Sequence, residues 1–125
     1  MSKKILVIED DKLLSDLLGK KLKDIGFEVA FAFTGAEGLA SLRANKPDLI
    51  LLDIVMPEKN GVEVMEEMNK NPETDLTKIP VIIISNSGQP VEIKRVLELG
   101  AKDYLIKANF NPQEVVEKVI KQIGD

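Results

Sequence analysis

The chain has 125 residues, 44% of them hydrophobic and 30% charged, with a formal net charge of −4. That is one domain, long enough to bury a core unaided. Cysteine and histidine are both absent, which excludes disulfides, thiolate or imidazole metal sites, a cysteine nucleophile, a Ser-His-Asp triad and a phosphohistidine on this chain.

The first element is the apolar run Ile5-Leu6-Val7-Ile8, which ends in Glu9-Asp10-Asp11. It is too short for a secretory h-region of about seven to fifteen residues. A helix follows, with Leu14, Leu18, Leu22 and Ile25 as one stripe, Leu13 and Leu17 beside it, and Gly26 as the stop. Asp11 reads as its cap rather than as a third metal ligand, because a carboxylate there meets free N–H groups and the positive end of the helix dipole. Thr34-Gly35-Ala36-Glu37 opens a second helix as a capping box. The run Leu49-Ile50-Leu51-Leu52 ends in Asp53, and Val81-Ile82-Ile83-Ile84 ends in Ser85. Between them, 71–80 is polar, carries two prolines and reads as a loop. Pro90 begins a fourth helix and Gly100 ends it. Tyr104-Leu105-Ile106 then runs into Lys107. Asn111-Pro112-Gln113-Glu114 opens the last helix, with Val115, Val116, Val119, Ile120 and Ile123 as its buried face.

Five alternations of short apolar run and helical period predict an α/β fold with parallel strands, and runs apolar at every position predict strands covered by helices on both faces. No apolar stretch approaches the ~20 residues of a membrane span. A cytoplasmic protein is expected. The acidic balance argues against direct nucleic-acid binding, which needs a basic footprint.

In a parallel sheet these strand ends converge on one edge, where open α/β sheets bind ligands. Carboxylates from the first and third strands, facing across a cleft, repel by about 4 kcal/mol at roughly 4 Å and an effective dielectric of roughly 20. Raised pKa values or a bound cation would relieve that. Oxygen-only ligands suit a hard ion, best Mg²⁺ with several retained waters. A lysine suits a phosphoryl oxygen and a serine hydroxyl a second one, so the set suits phosphoryl transfer.

Over essentially its whole length the sequence resembles the receiver domain of two-component response regulators. The resemblance rests on Ile5–Asp10, Asp53-Ile54-Val55-Met56-Pro57 with Asn60-Gly61, Ile84-Ser85, and Gly100-Ala101-Lys102-Asp103-Tyr104-Leu105-Ile106-Lys107. It implies a doubly wound, flavodoxin-like (βα)5 three-layer sandwich with strand order 2-1-3-4-5. It implies Asp53 as phosphoacceptor, and Asp10, Asp53 and the backbone carbonyl of Val55 as ligands of Mg²⁺, with Glu9 helping directly or through water. Lys107 would pair with the aspartyl phosphate and Ser85 would move to hydrogen-bond it. Tyr104 would change rotamer in step, reshaping a face made by the fourth helix, fifth strand and fifth helix. The implied partners are a sensor histidine kinase or phosphotransfer protein and a downstream target protein, with the protein itself a monomer or weak dimer and not a turnover enzyme. The sequence reads as a receiver without an output domain over residues 1–125.

Two positions depart from the family's pattern. Ala108 stands where a cis-proline usually follows the lysine, and a cis bond without proline costs about 2.5–4 kcal/mol, so the Lys107–Ala108 peptide is expected to be trans. Asn86 stands where a very small residue usually follows the switch hydroxyl, and altered phosphorylation or dephosphorylation kinetics are expected. Three other readings compete. A constitutive pseudo-receiver is allowed by Asn86 and Ala108 but opposed by the complete acidic set. An aspartate-nucleophile phosphatase would want a second aspartate where Lys12 stands. A flavin protein of similar topology would want a phosphate-cradling loop where Asp10-Asp11-Lys12 stands.

Overall fold

The computed structural model describes residues 3–54, 59–70, 79–85, 90–107 and 111–124, side chains excepted at 90–92. Val55, Met56, Pro57, Asn86, Ala108 and most of the 71–80 loop lie outside the described residues.

Strands and helices alternate strictly: β1 (Lys4–Ile8), α1 (Lys12–Asp24), β2 (Glu28–Ala32), α2 (Gly35–Ala44), β3 (Leu49–Asp53), α3 (Gly61–Asn69), β4 (Val81–Ser85), α4 (Pro90–Glu98), β5 (Asp103–Ile106) and α5 (Pro112–Ile123). The five strands form one parallel sheet in the order β2-β1-β3-β4-β5. The alternation predicts the parallel α/β fold, and the resemblance implies this doubly wound strand order.

Successive strand residues point to opposite faces, and the two faces feed two cores. Leu6, Ile8, Ile50, Leu52, Val81 and Ile83 pack with residues of α2, α3 and α4. Ile5, Val7, Leu49, Leu51, Ile82, Ile84 and Leu105 pack with residues of α1 and α5. Every residue of the central strands β3 and β4 is buried, as expected of runs without alternation.

The helix boundaries follow local chemistry. Asp11 caps α1, its carboxylate accepting the N–H groups of Leu13 and Leu14 at 3.1 and 3.2 Å. Gly26 and Gly100 hold φ of +103° and +113° after α1 and α4, the region glycine adopts without strain. Asn111 caps α5, with Pro112 in its first turn. At α2 the expected capping box is altered. Thr34 Oγ1 accepts from the N–H of Glu37, but the Glu37 carboxylate takes the N–H of Phe33, one residue before the cap.

Two apolar stripes are wider than the faces that are buried. On α1 only Leu18 and Leu22 are fully covered, while Leu13, Leu17 and Ile25 are exposed. On α5 Val115, Val116 and Val119 are buried, but Ile120 is exposed. A helix packed on a flat sheet covers less of its circumference than one packed among other helices.

Candidate functional site

Strand parity decides which side chains meet. Glu9 continues the series Ile5–Val7, Asp53 continues Leu49–Leu51, and Lys107 follows Leu105, all of which face α1 and α5. Three charged side chains therefore leave the sheet on one face, at its carboxyl edge, at the point where the strand order reverses between β1 and β3. Ser85 continues Val81–Ile83 and belongs to the opposite face, toward the α2–α4 layer.

Carboxylate oxygens of Glu9, Asp10 and Asp53 all lie within 4.8 Å of one another. Glu9 and Asp53 are buried, and Asp10 is exposed. Glu9 is held at each polar atom. Its N–H donates to Ala32 at 3.0 Å, its carbonyl accepts from the Ser15 hydroxyl at 3.2 Å, and its Oε2 accepts from the N–H of Asp11 at 3.0 Å. Oε1 lies 2.6 Å from Lys107 Nζ as an ion pair, without hydrogen-bond geometry to a described residue. Lys107 Nζ is 3.4 Å from Asp53 Oδ2. The lysine expected to serve a phosphoryl group at Asp53 thus sits closer to Glu9.

The electrostatics follow from that packing. Burial, and next the Glu9 carboxylate, push the Asp53 carboxyl up from 3.8 to about 7, against the pull of Lys107. Burial alone would lower Lys107, but Glu9 and Asp53 outweigh it and hold the ammonium above its ordinary value. Both remedies for crowded acids, a raised pKa and a counter-charge, operate together, with Lys107 as the counter-charge.

The donor set fits a hard divalent cation. All three groups are carboxylates, and octahedral Mg²⁺ at about 2.1 Å asks for ligand separations of roughly 3–4 Å, so little closing is needed. The buried Glu9 Oε1 would exchange the Lys107 ammonium for the ion. Glu9, Asp10 and Asp53 would be the holders.

Residues 59–61, which lead into α3, are fixed by contacts that the sequence reading did not describe, although Asn60-Gly61 belongs to the matched pattern. Asn60 and Glu63 form a reciprocal capping box at α3, and the Gly61 N–H donates to the carbonyl of Ile54 at 2.8 Å. A Cβ on Gly61 would collide with the Asp53 carbonyl. The pattern Asn60-x-x-Glu63 was legible as a capping box; the close approach of Gly61 was not, because it depends on where the loop returns. Gly61→Ala is expected to destabilise the fold by about 1–3 kcal/mol, as overpacking does, read from the urea midpoint.

Ser85 is buried and adjoins Ile106 of β5 in register. Tyr104 on β5, Leu97 on α4 and Ile120 on α5 are all exposed. No helix among the described residues is long and apolar enough to cross a membrane.

Comparison with known proteins agrees with this geometry. The model of the response regulator receiver domain matches residues 5–120. The transcriptional regulatory protein CpxR of Klebsiella pneumoniae is 40% identical over 116 residues, covering 93% of this chain and 47% of that protein, so the chain spans about half the length of such relatives. The phosphorylated cyanobacterial phytochrome response regulator RcpA superposes with a TM-score of 0.85 at 32% identity, covering 97% of this chain and 93% of that one. The receiver domain of the sensor histidine kinase PA1611 from Pseudomonas aeruginosa, described with a magnesium ion in its active-site cleft, has a TM-score of 0.85 over the full length of both chains. At 22% identity it shows the shared fold alone. With five parallel strands ordered 2-1-3-4-5 and a match over residues 5–120, the chain belongs to the response regulator receiver domains of two-component signal transduction.

Proposed function

We propose that this receiver takes a phosphoryl group onto Asp53 from a histidine kinase or phosphotransfer protein, with Mg²⁺ held by Glu9, Asp10, Asp53 and the Val55 carbonyl. The observation that carries the reading is the three-carboxylate cluster with Lys107 Nζ at 2.6 Å from Glu9 and 3.4 Å from Asp53. An ionised Asp53 oxygen attacks phosphorus, and the bond to the donor nitrogen breaks with its electron pair returning to the imidazole. Mg²⁺, held by these residues, would supply charge neutralisation for the transferring oxygens. Lys107, already 3.4 Å from Asp53 Oδ2, would turn from Glu9 toward them.

The phosphorylated side chain carries roughly −1.5 to −2 charges and three strong acceptors, by analogy with phosphoserine. Ser85 follows Ile84, the register partner of Asp53, and its hydroxyl would move to hydrogen-bond the new group, with Tyr104 on β5 as the aromatic that would follow it. Leu97, Tyr104 and Ile120 place one exposed apolar side chain on each of α4, β5 and α5, which supports that face as the one read by a target protein. Such a partner shifts the population only by preferring one state. A chain with net charge −4 suits output through a protein better than direct contact with nucleic acid.

Calorimetric titration with MgCl₂ at pH 8 tests the cation assignment. Saturable binding at one site is expected, with Glu9→Gln weakening it about tenfold or more. Equal affinity in Glu9→Gln would remove Glu9 from the ligand set.

A further inference from the structure

Among the described residues the buried polar or charged side chains are Glu9, Asp53, Ser85 and Ser15. The proposed chemistry uses the first three. Ser15 lies in the first turns of α1, 0% exposed, and its N–H makes the normal helical bond to the Asp11 carbonyl at 2.9 Å. A helical serine usually turns its hydroxyl back to the carbonyl four residues earlier. Here the hydroxyl reaches past that position to the Glu9 carbonyl at 3.2 Å. It thereby ties helix α1 to the first residue of the acidic turn.

We propose that Ser15 is a positioning residue that fixes the Glu9-Asp10-Asp11 turn so that the Glu9 and Asp10 carboxylates converge with Asp53. The inference rests on the cation-binding reading above. The Glu9 amide is already anchored to β2 through Ala32, and Glu9 Oε2 to the Asp11 amide. The peptide that links Glu9 to Asp10 is held through its carbonyl by Ser15. Without the hydroxyl that peptide can rotate, and both carboxylates move with it. A buried carbonyl left without its donor also favours such a rotation.

The test compares the parent with Ser15→Ala, Ser15→Thr and Leu22→Val in the full chain. Leu22 is a buried residue of the same helix, two turns farther on, and serves as a stability control. Calorimetric Mg²⁺ dissociation constants should rise about threefold to tenfold in Ser15→Ala, the effect of one ordinary hydrogen bond. They should return toward the parent value in Ser15→Thr and stay unchanged in Leu22→Val. In metal-free protein, exchange of the Asp11 amide should quicken in Ser15→Ala alone. Parent-like affinity and exchange in Ser15→Ala would overturn the positioning role while leaving the cation site intact. A shift shared with Leu22→Val would reduce Ser15 to helix stability. Absence of Mg²⁺ binding by the parent itself would overturn both this inference and the reading beneath it.

Discussion

In metal-free buffer Asp53→Asn is expected to be more stable than the parent at pH 8, with the difference shrinking to nothing toward pH 4. Asp53 has its carboxyl raised from 3.8 to about 7 by burial and then by Glu9. Between those values the folded chain keeps a proton that the unfolded chain has lost, so the parent's stability falls as pH rises through this window and levels off above it. Over that window the difference amounts to about 4 kcal/mol. Asparagine has nothing to ionise and escapes that slope. Urea unfolding of both proteins across pH 4–8, with EDTA present, gives the comparison. Parallel stability curves would mean that Asp53 ionises as an ordinary exposed carboxyl.

The second large effect concerns Lys107 and has two opposite signs. Lys107→Ala should slow phosphoryl uptake from a small phosphodonor by about 100-fold or more, the usual result of removing one donor aimed at developing charge. The same substitution should tighten Mg²⁺ binding. Lys107 Nζ lies against Glu9 Oε1 at 2.6 Å and competes there with any divalent ion. Single-turnover mass measurements and calorimetry on one preparation separate the two. Loss of both uptake and Mg²⁺ affinity would show that Lys107 organises the acidic cluster instead of competing for it.

Much of this site could be read before any coordinates. Glu9 stands two residues beyond Val7, Asp53 two beyond Leu51 and Lys107 two beyond Leu105, so even spacing alone sends all three to one face once the strands are parallel. The Asp11 cap and the turns at Gly26 and Gly100 were equally local in origin. The hold of Lys107 on Glu9 was less accessible, because sequence pattern shows which strand ends converge and not which acid a flexible ammonium prefers. Ser15 was invisible, and Gly61 was marked only by the resemblance, for a related reason: each matters through a contact with backbone that no periodicity shows. The excess of apolar residues on α1 and α5 misled in the other direction. Periodicity marks a stripe, while burial depends on the width of the surface it meets, so Leu13, Leu17 and Ile120 remain in solvent. The resemblance to receivers narrowed the chemistry, but the positions that depart from that pattern, Asn86 and Ala108, lie outside the described residues.

Phosphoryl capture at Asp53 is the claim on which the rest depends. Intact-mass spectrometry of the parent and Asp53→Asn, each incubated with acetyl phosphate and MgCl₂, tests it most directly. The account predicts a mass gain of one phosphoryl group in the parent, lost on adding hydroxylamine, and none in Asp53→Asn. An equal gain in both proteins, or a gain stable to hydroxylamine, would contradict it.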